Sequence, residues 1–107
     1  MAEAYPKTFL KLKQRYPELL KAYEAAGEIG KKAGPLQDKY HHLMQMAACV
    51  ALRSEGGVHS HTSRALEAGA TPEEIYHALI LLISTAGFPA VAAGFSWAND
   101  VIEKKRD

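Results

Sequence analysis

An all-α domain of about six helices is the architecture this chain encodes, and three features of the sequence carry that expectation. Alternation of polar and apolar residues never persists, and the β-branched residues are scattered, so no strand pattern stands out. Proline and glycine punctuate the chain at helix-length intervals, at Pro6, Pro17, Gly34-Pro35, Gly56-Gly57, Gly69, Pro72 and Gly87-Phe88-Pro89. Thr71-Pro72-Glu73-Glu74 combines an N-cap threonine, a proline at the first helical position and a glutamate that completes a capping box.

The elements follow in order. Pro6 and Pro17 suit helix starts, and Tyr16-Pro17 divides the N-terminal region into a short helix and a longer one. The longer one extends to about Lys32, where Gly34-Pro35 makes a sharp stop. A third helix is expected from about Leu36 to Arg53. It is apolar on most faces and carries one polar stripe through His42, Gln45 or Met46, Cys49 and Arg53. Glu55-Gly56-Gly57 breaks it. A fourth helix then extends from about Val58 to Ala68 and ends at Gly69, a residue suited to left-handed backbone. The capping box opens a fifth helix reaching about Ala86, and a sixth follows Gly87-Phe88-Pro89 to about Lys104.

The chain has 107 residues, the size of one domain spanning 1–107. A chain of this length buries roughly 60–70% of its unfolded surface, enough for one core without crosslinks. Net charge is +1 with acids and bases interspersed, so no basic field invites nucleic acid or a membrane surface. Lys104-Lys105-Arg106 is better read as a cationic end that complements the last helix dipole. Cys49 is the single cysteine, which excludes an intrachain disulfide framework and fits a reducing compartment. Residues 1–6 carry neither a basic start nor an apolar run, so no secretory signal is visible, and the expected location is cytoplasmic. The apolar runs 46–52 and 78–83 fall far short of the ~20 residues that cross a bilayer. Residues 78–83 are apolar all round and the third helix is nearly so. A six-helix monomer cannot surround both, which predicts a homo-oligomer.

Histidine is the residue type around which a site can form. His59 and His61 lie two apart on the fourth helix and point ~200° away from each other, so only one can face inward. His61, one turn into the helix and in line with Ala65, is the better inward candidate. His41 and His42 are adjacent, and only one can share the stripe with Cys49. If the third and fourth helices form a hairpin across Glu55-Gly57, then His42, Cys49 and His61 come together. The spacing lacks the repeats of a zinc motif, so a metal ion is possible rather than implied, and no cofactor is expected. Gly56 and Gly57 precede a helix start, where backbone N–H groups and the dipole favour an anion. Arg53 and Arg64 can pair a substrate carboxylate, and Ser54 and Glu55 crowd the same turn.

The run His61-x-x-x-Ala65-Leu66-Glu67-Ala68-Gly69-Ala70-Thr71-Pro72-Glu73-Glu74-Ile75, followed by Gly87-Phe88-Pro89-Ala90, resembles the carboxymuconolactone decarboxylase and AhpD-like alkylhydroperoxidase superfamily. Leu36-x-x-Lys39 and Pro17-Glu18-Leu19 are similar too, and the likeness covers about residues 17–102. It implies an all-α oligomer, often a trimer or hexamer, with a pocket where the third and fourth helices meet at a subunit interface. In the peroxidase branch that pocket holds a glutamate, a C-x-x-C pair and a histidine. Here the histidine is His61, the cysteine positions fall on Ser54 and Gly57, and the glutamate position falls on His42. A dithiol cycle is therefore excluded, because neither thiolate exists. The decarboxylase branch often lacks the cysteines as well, and its likeness implies a small carboxylic acid or lactone as substrate.

The expected function is then a decarboxylase-like reaction. His61 is the general acid/base, with His42 and Ser54 as further catalytic candidates. Gly56, Gly57, Arg53 and Glu55 are the substrate-binding candidates. Two alternatives stand beside it. One is a peroxidase relative without its dithiol, using Cys49 with an external thiol. The other is a non-catalytic oligomer that holds a small ligand or a metal ion between His42 and His61.

Overall fold

In the computed structural model, which describes residues 7–106 with the side chains of 105 and 106 excepted, the chain is a succession of helices. They are α1 Lys7–Arg15, α2 Pro17–Lys32, α3 Asp38–Ala51, α4 Glu55–Glu67, α5 Pro72–Ile80, the single turn α6 Ile83–Ala86, and α7 Phe88–Arg106. The helix start expected at Pro6 and the side chains of the last two cations of the C-terminal cluster lie outside what is described. α3 and α4 form an antiparallel hairpin, and α7 packs across both. α5 and α6 join α7 on one side, and α1 pairs with α2 through Phe9 and Tyr23 and the ion pair Lys13–Glu24.

The core lies where α3, α4, α5 and α7 meet. Met46 and Val50 come from α3, Val58 from α4, Ile75 and Leu79 from α5, and Ala90, Val91, Ala98 and Ile102 from α7. Met46 and Val50, Ile75 and Leu79, and Ala98 and Ile102 are each four apart, the spacing that keeps two residues on one helix face. Met46 is fully buried, so it belongs to the core and not to the polar stripe of α3.

Two left-handed residues set the helix hairpins. α4 ends in a Schellman motif, with Gly69 at φ +104, its N–H donating to the Leu66 carbonyl and the Ala70 N–H to that of Ala65. α3 ends the same way without glycine. Arg53 takes φ +58, its N–H donates to the Val50 carbonyl, and the Ser54 N–H donates to the Cys49 carbonyl. The chain thus reverses at Leu52-Arg53-Ser54. Glu55-Gly56-Gly57 is not the expected break but the first turn of α4, three residues ahead of the expected start at Val58. A left-handed β-carbon costs about 1 kcal/mol or more, so Arg53→Gly should raise stability by roughly 0.5–1 kcal/mol. Urea titration checks this, and an unchanged or lower midpoint would mean that the Arg53 side chain compensates the strain.

The fifth helix also departs from expectation. α5 stops at Ile80, the Leu81 and Leu82 N–H groups turn back onto the His77 and Leu79 carbonyls, and only then does α6 form. Gly87 closes α6 at φ +91, and Pro89 sits in the first turn of α7, where its missing N–H costs nothing. The break leaves Leu81 62% and Ile80 53% exposed. This is the leftover apolar surface anticipated from the composition of residues 78–83. No helix among the described residues is long and apolar enough to cross a membrane.

Candidate functional site

The α3–α4 hairpin is held close by a missing side chain. A β-carbon at Gly57 would collide with Cys49 Sγ and come within 2.8 Å of Ser54 Oγ. Glycine is therefore required here for close approach, not for turning. Ser54 is both the last residue of the α3 cap and the N-cap of α4, and its hydroxyl accepts the Gly57 N–H at 3.2 Å. That bond uses one of the two glycine N–H groups expected to cradle a carboxylate. It makes Ser54 a structural cap, and only Gly56 of the pair keeps the proposed role open.

Farther from the turn than this contact, the two helices bring His42 and His61 together. Their Nδ1 atoms lie 3.3 Å apart, with ring centroids at 5.5 Å. His42 is buried and His61 half-buried. His41 also stacks on His42, with ring centroids 4.4 Å apart, so the site holds three imidazoles and not two. The Nδ1–Nδ1 contact has one chemical meaning for neutral rings. One ring carries its hydrogen on Nδ1 and donates, while the other accepts and carries its hydrogen on Nε2. Together the two Nε2 atoms then offer one acceptor and one donor.

Both rings are held neutral. The pKa of His42 is lowered to about 4, first by burial, then by His41 and Arg64. That of His61 is also lowered to about 4, by burial, Arg64 and the two neighbouring histidines. Arg64, on α4 one turn beyond His61, thus acts on both rings, while Lys31 acts on His42 to a smaller extent. Arg53 is exposed in the turn. Sequence alone names Arg53, not Arg64, as the substrate-binding candidate. The signal that separates them is the i, i+3 spacing of Arg64 from His61.

Cys49 sits at the Gly57 contact, half-buried, and burial pushes its thiol pKa up. At neutral pH it is a thiol that fills the space glycine leaves, the opposite of an activated nucleophile. Nor is Glu55 grouped with the histidine pair. It lies on the α7 side of α4 with His59 and Asp100, where His59 Nε2 is 2.9 Å from Asp100 Oδ2. His59 and His61 do point apart as their spacing requires, one toward α7 and the other toward α3. Two further polar links tie the helices together: Lys39 Nζ to Glu74 at 3.1 Å joins α3 to α5, and Tyr76 donates to Asn99 at 2.7 Å, joining α5 to α7.

The model of the family described as "Carboxymuconolactone decarboxylase family" matches residues 17–100. No curated protein matches the chain significantly. Among solved structures, the crystal structure of an apo carboxymuconolactone decarboxylase family protein from Legionella pneumophila is similar, with a TM-score of 0.81 at 24% identity. The match covers 94% of this chain and 88% of that one, and at this identity it speaks for the fold.

Proposed function

Because the chain belongs to the carboxymuconolactone decarboxylase family, we propose that its histidine pair is a proton-transfer centre for a small carboxylic acid or lactone. The observation that carries this reading is the 3.3 Å contact between His42 Nδ1 and His61 Nδ1, seated between α3 and α4. Neutral imidazoles are poor acids, so the resting pair is poised as a base. A bound carboxylate changes this. Its negative charge beside the rings favours the imidazolium and offsets the push from Arg64, so the anion brings a proton onto the pair.

The protonated pair is the acid that decarboxylation needs. The carbon–carboxylate bond breaks, carbon dioxide leaves, and the electron pair stays on the substrate carbon. An imidazolium N–H then protonates that carbon and returns the pair to neutrality. Arg64 and the Gly56 N–H supply the anion's partners, and His41 stacks against His42 to hold its ring. The resting state needs no cofactor in this scheme. The peroxidase alternative has less support, because the thiol of Cys49 is disfavoured as thiolate and faces Gly57.

We also propose that the working form is a homo-oligomer, a trimer or hexamer, placed in the cytoplasm. Supporting the association of copies are the exposed apolar residues Ile80, Leu81 and Phe88 along the α5–α7 turn and Leu19, Tyr23 and Ile29 on α2.

The test is a panel of small unsaturated carboxylic acids and their lactones, followed by carbon dioxide release and by calorimetry in two buffers of different ionisation enthalpy. Turnover of at least one acid or lactone is expected. His61→Ala should lower it by about 10²-fold or more while the helical spectrum is kept. Binding should take up a proton in the wild type and none in His42→Ala/His61→Ala. Full turnover in His61→Ala, or no member of the panel bound or turned over, would overturn the proposal.

A further inference from the structure

On the face of α4 opposite His61, two helices gather three metal-ligating side chains. Glu55 and His59 are four apart on α4 and therefore lie one above the other. Asp100 comes across from α7. One donor atom from each of the three lies within 4.8 Å of the others. From this placement we propose that Glu55, His59 and Asp100 form a binding site for a divalent transition metal of the zinc type, separate from the His42–His61 pair.

Three observations support it. The donor set is chemically apt: one imidazole and two carboxylates match the nitrogen and oxygen ligands zinc takes, and the two negative charges neutralise the ion. The geometry is close to closed. Zinc bonds of 2.0–2.2 Å place tetrahedral donors about 3.3 Å apart. His59 Nε2 and Asp100 Oδ2 are already at 2.9 Å, and Glu55, an exposed side chain, has at most about 1.5 Å to move by rotamer change. The charge is also unbalanced without a cation. Among the described residues no lysine or arginine pairs with either carboxylate, and Glu55 has no hydrogen bond of its own. A half-buried histidine here stands beside two exposed carboxylates, whose charge a bound cation would neutralise.

Three protein ligands leave a fourth position for water or for a carboxylate from outside. The site also has a mechanical consequence. It ties the first turn of α4, which carries the Ser54 cap and the Gly57–Cys49 contact, to α7. An ion there should stiffen the turn that positions the histidine pair, although it touches neither ring.

The experiment uses the full chain, free of any affinity tag, stripped with chelator and dialysed against zinc chloride. One zinc per chain is expected, with a rise in melting temperature that follows the free zinc concentration. Glu55→Gln and Asp100→Asn keep size and shape and should each weaken binding about tenfold or more, since one of three donors is lost. His59→Ala should abolish it. His42→Ala/His61→Ala should bind zinc as the wild type does, which separates this site from the proton-transfer site and from the fate of the proposed activity. Cobalt substitution should give the visible absorption of a four-coordinate ion, absent in Asp100→Asn. No saturable zinc binding by the wild type would overturn the proposal. So would binding that survives Asp100→Asn and Glu55→Gln, or that disappears with His42 and His61.

Discussion

Acidification from pH 7.5 to 4.5 should cost this protein on the order of 3 kcal/mol through two histidines alone. The ordinary histidine pKa of 6.5 applies to the unfolded chain, while His42 and His61 are lowered to about 4 in the fold. Between these values the unfolded chain holds more protons than the folded one, so stability rises with pH. The contribution is complete above about pH 6.5, is lost as pH falls through 6.5 toward 4, and is gone below that. Two full shifts would exceed 3 kcal/mol, but the rings repel each other and His61 keeps some water contact, so about half is retained. Against a total stability of about 5–15 kcal/mol for a domain, this is a large share.

The pKa of Glu74 is lowered by its bonds to Thr71 and Lys39, which places its own effect toward the acid end of this window and below it. The measurement is a series of urea titrations across the range, paired with an NMR titration of the five histidine rings. Two rings should stay neutral to well below pH 5.5 and then protonate together with unfolding. If all five titrate near 6.5, the pair is hydrated and its neutral resting state, on which the proposed acid–base cycle depends, does not exist.

The second large effect concerns Gly94→Val, expected to cost about 3 kcal/mol or more. Gly94 lies in α7 directly over Val50 of α3. A β-carbon there would stand 2.7 Å and 2.9 Å from the two Val50 methyls and 3.3 Å from Leu79 Cδ2. Val50 and Leu79 are fully buried, and a β-branched side chain in a helix has essentially one rotamer, so the methyls cannot turn aside. The helices must separate, and with them the core shared by α3, α5 and α7. Gly94→Ala is the milder version. Its overpacking, about 1–3 kcal/mol, is partly offset by the better helix propensity of alanine, about 1 kcal/mol. Val50→Ala opens the space and should recover part of the loss in Gly94→Val/Val50→Ala, a coupling that a double-mutant cycle reads directly. An additive cycle would show that α7 does not rest on Val50 at this point.

Part of the molecule was legible residue by residue. The capping box at Thr71 is present in both of its hydrogen bonds, Gly69 takes the left-handed backbone, and α2 ends at Lys32. These are local signals, since each depends on backbone groups within a few residues. The pairing of His42 with His61 was also within reach, because a hairpin between their two helices places both on its inner side. The start of α4 was misjudged because a glycine pair suggests a turn. In fact Arg53 supplies the turn, while Gly57 answers to Cys49 on the neighbouring helix. The break after Ile80 was missed because residues 78–86 contain no glycine or proline to mark it.

Composition, punctuation and helical periodicity thus determined the fold class, the order of the helices and the candidate histidines, because those properties are written in neighbours along the chain. Tertiary structure alone decided that His41 stacks on the pair and that Arg64, not Arg53, charges its surroundings. It decided also that the Gly57 N–H is spent on Ser54, and that Asp100 reaches His59 from forty-one positions away. The reason is physical. Such contacts depend on how two helices are rotated and how closely they approach, and that is settled by the packing of Gly57 on Cys49 and Gly94 on Val50, across distances that no local pattern records.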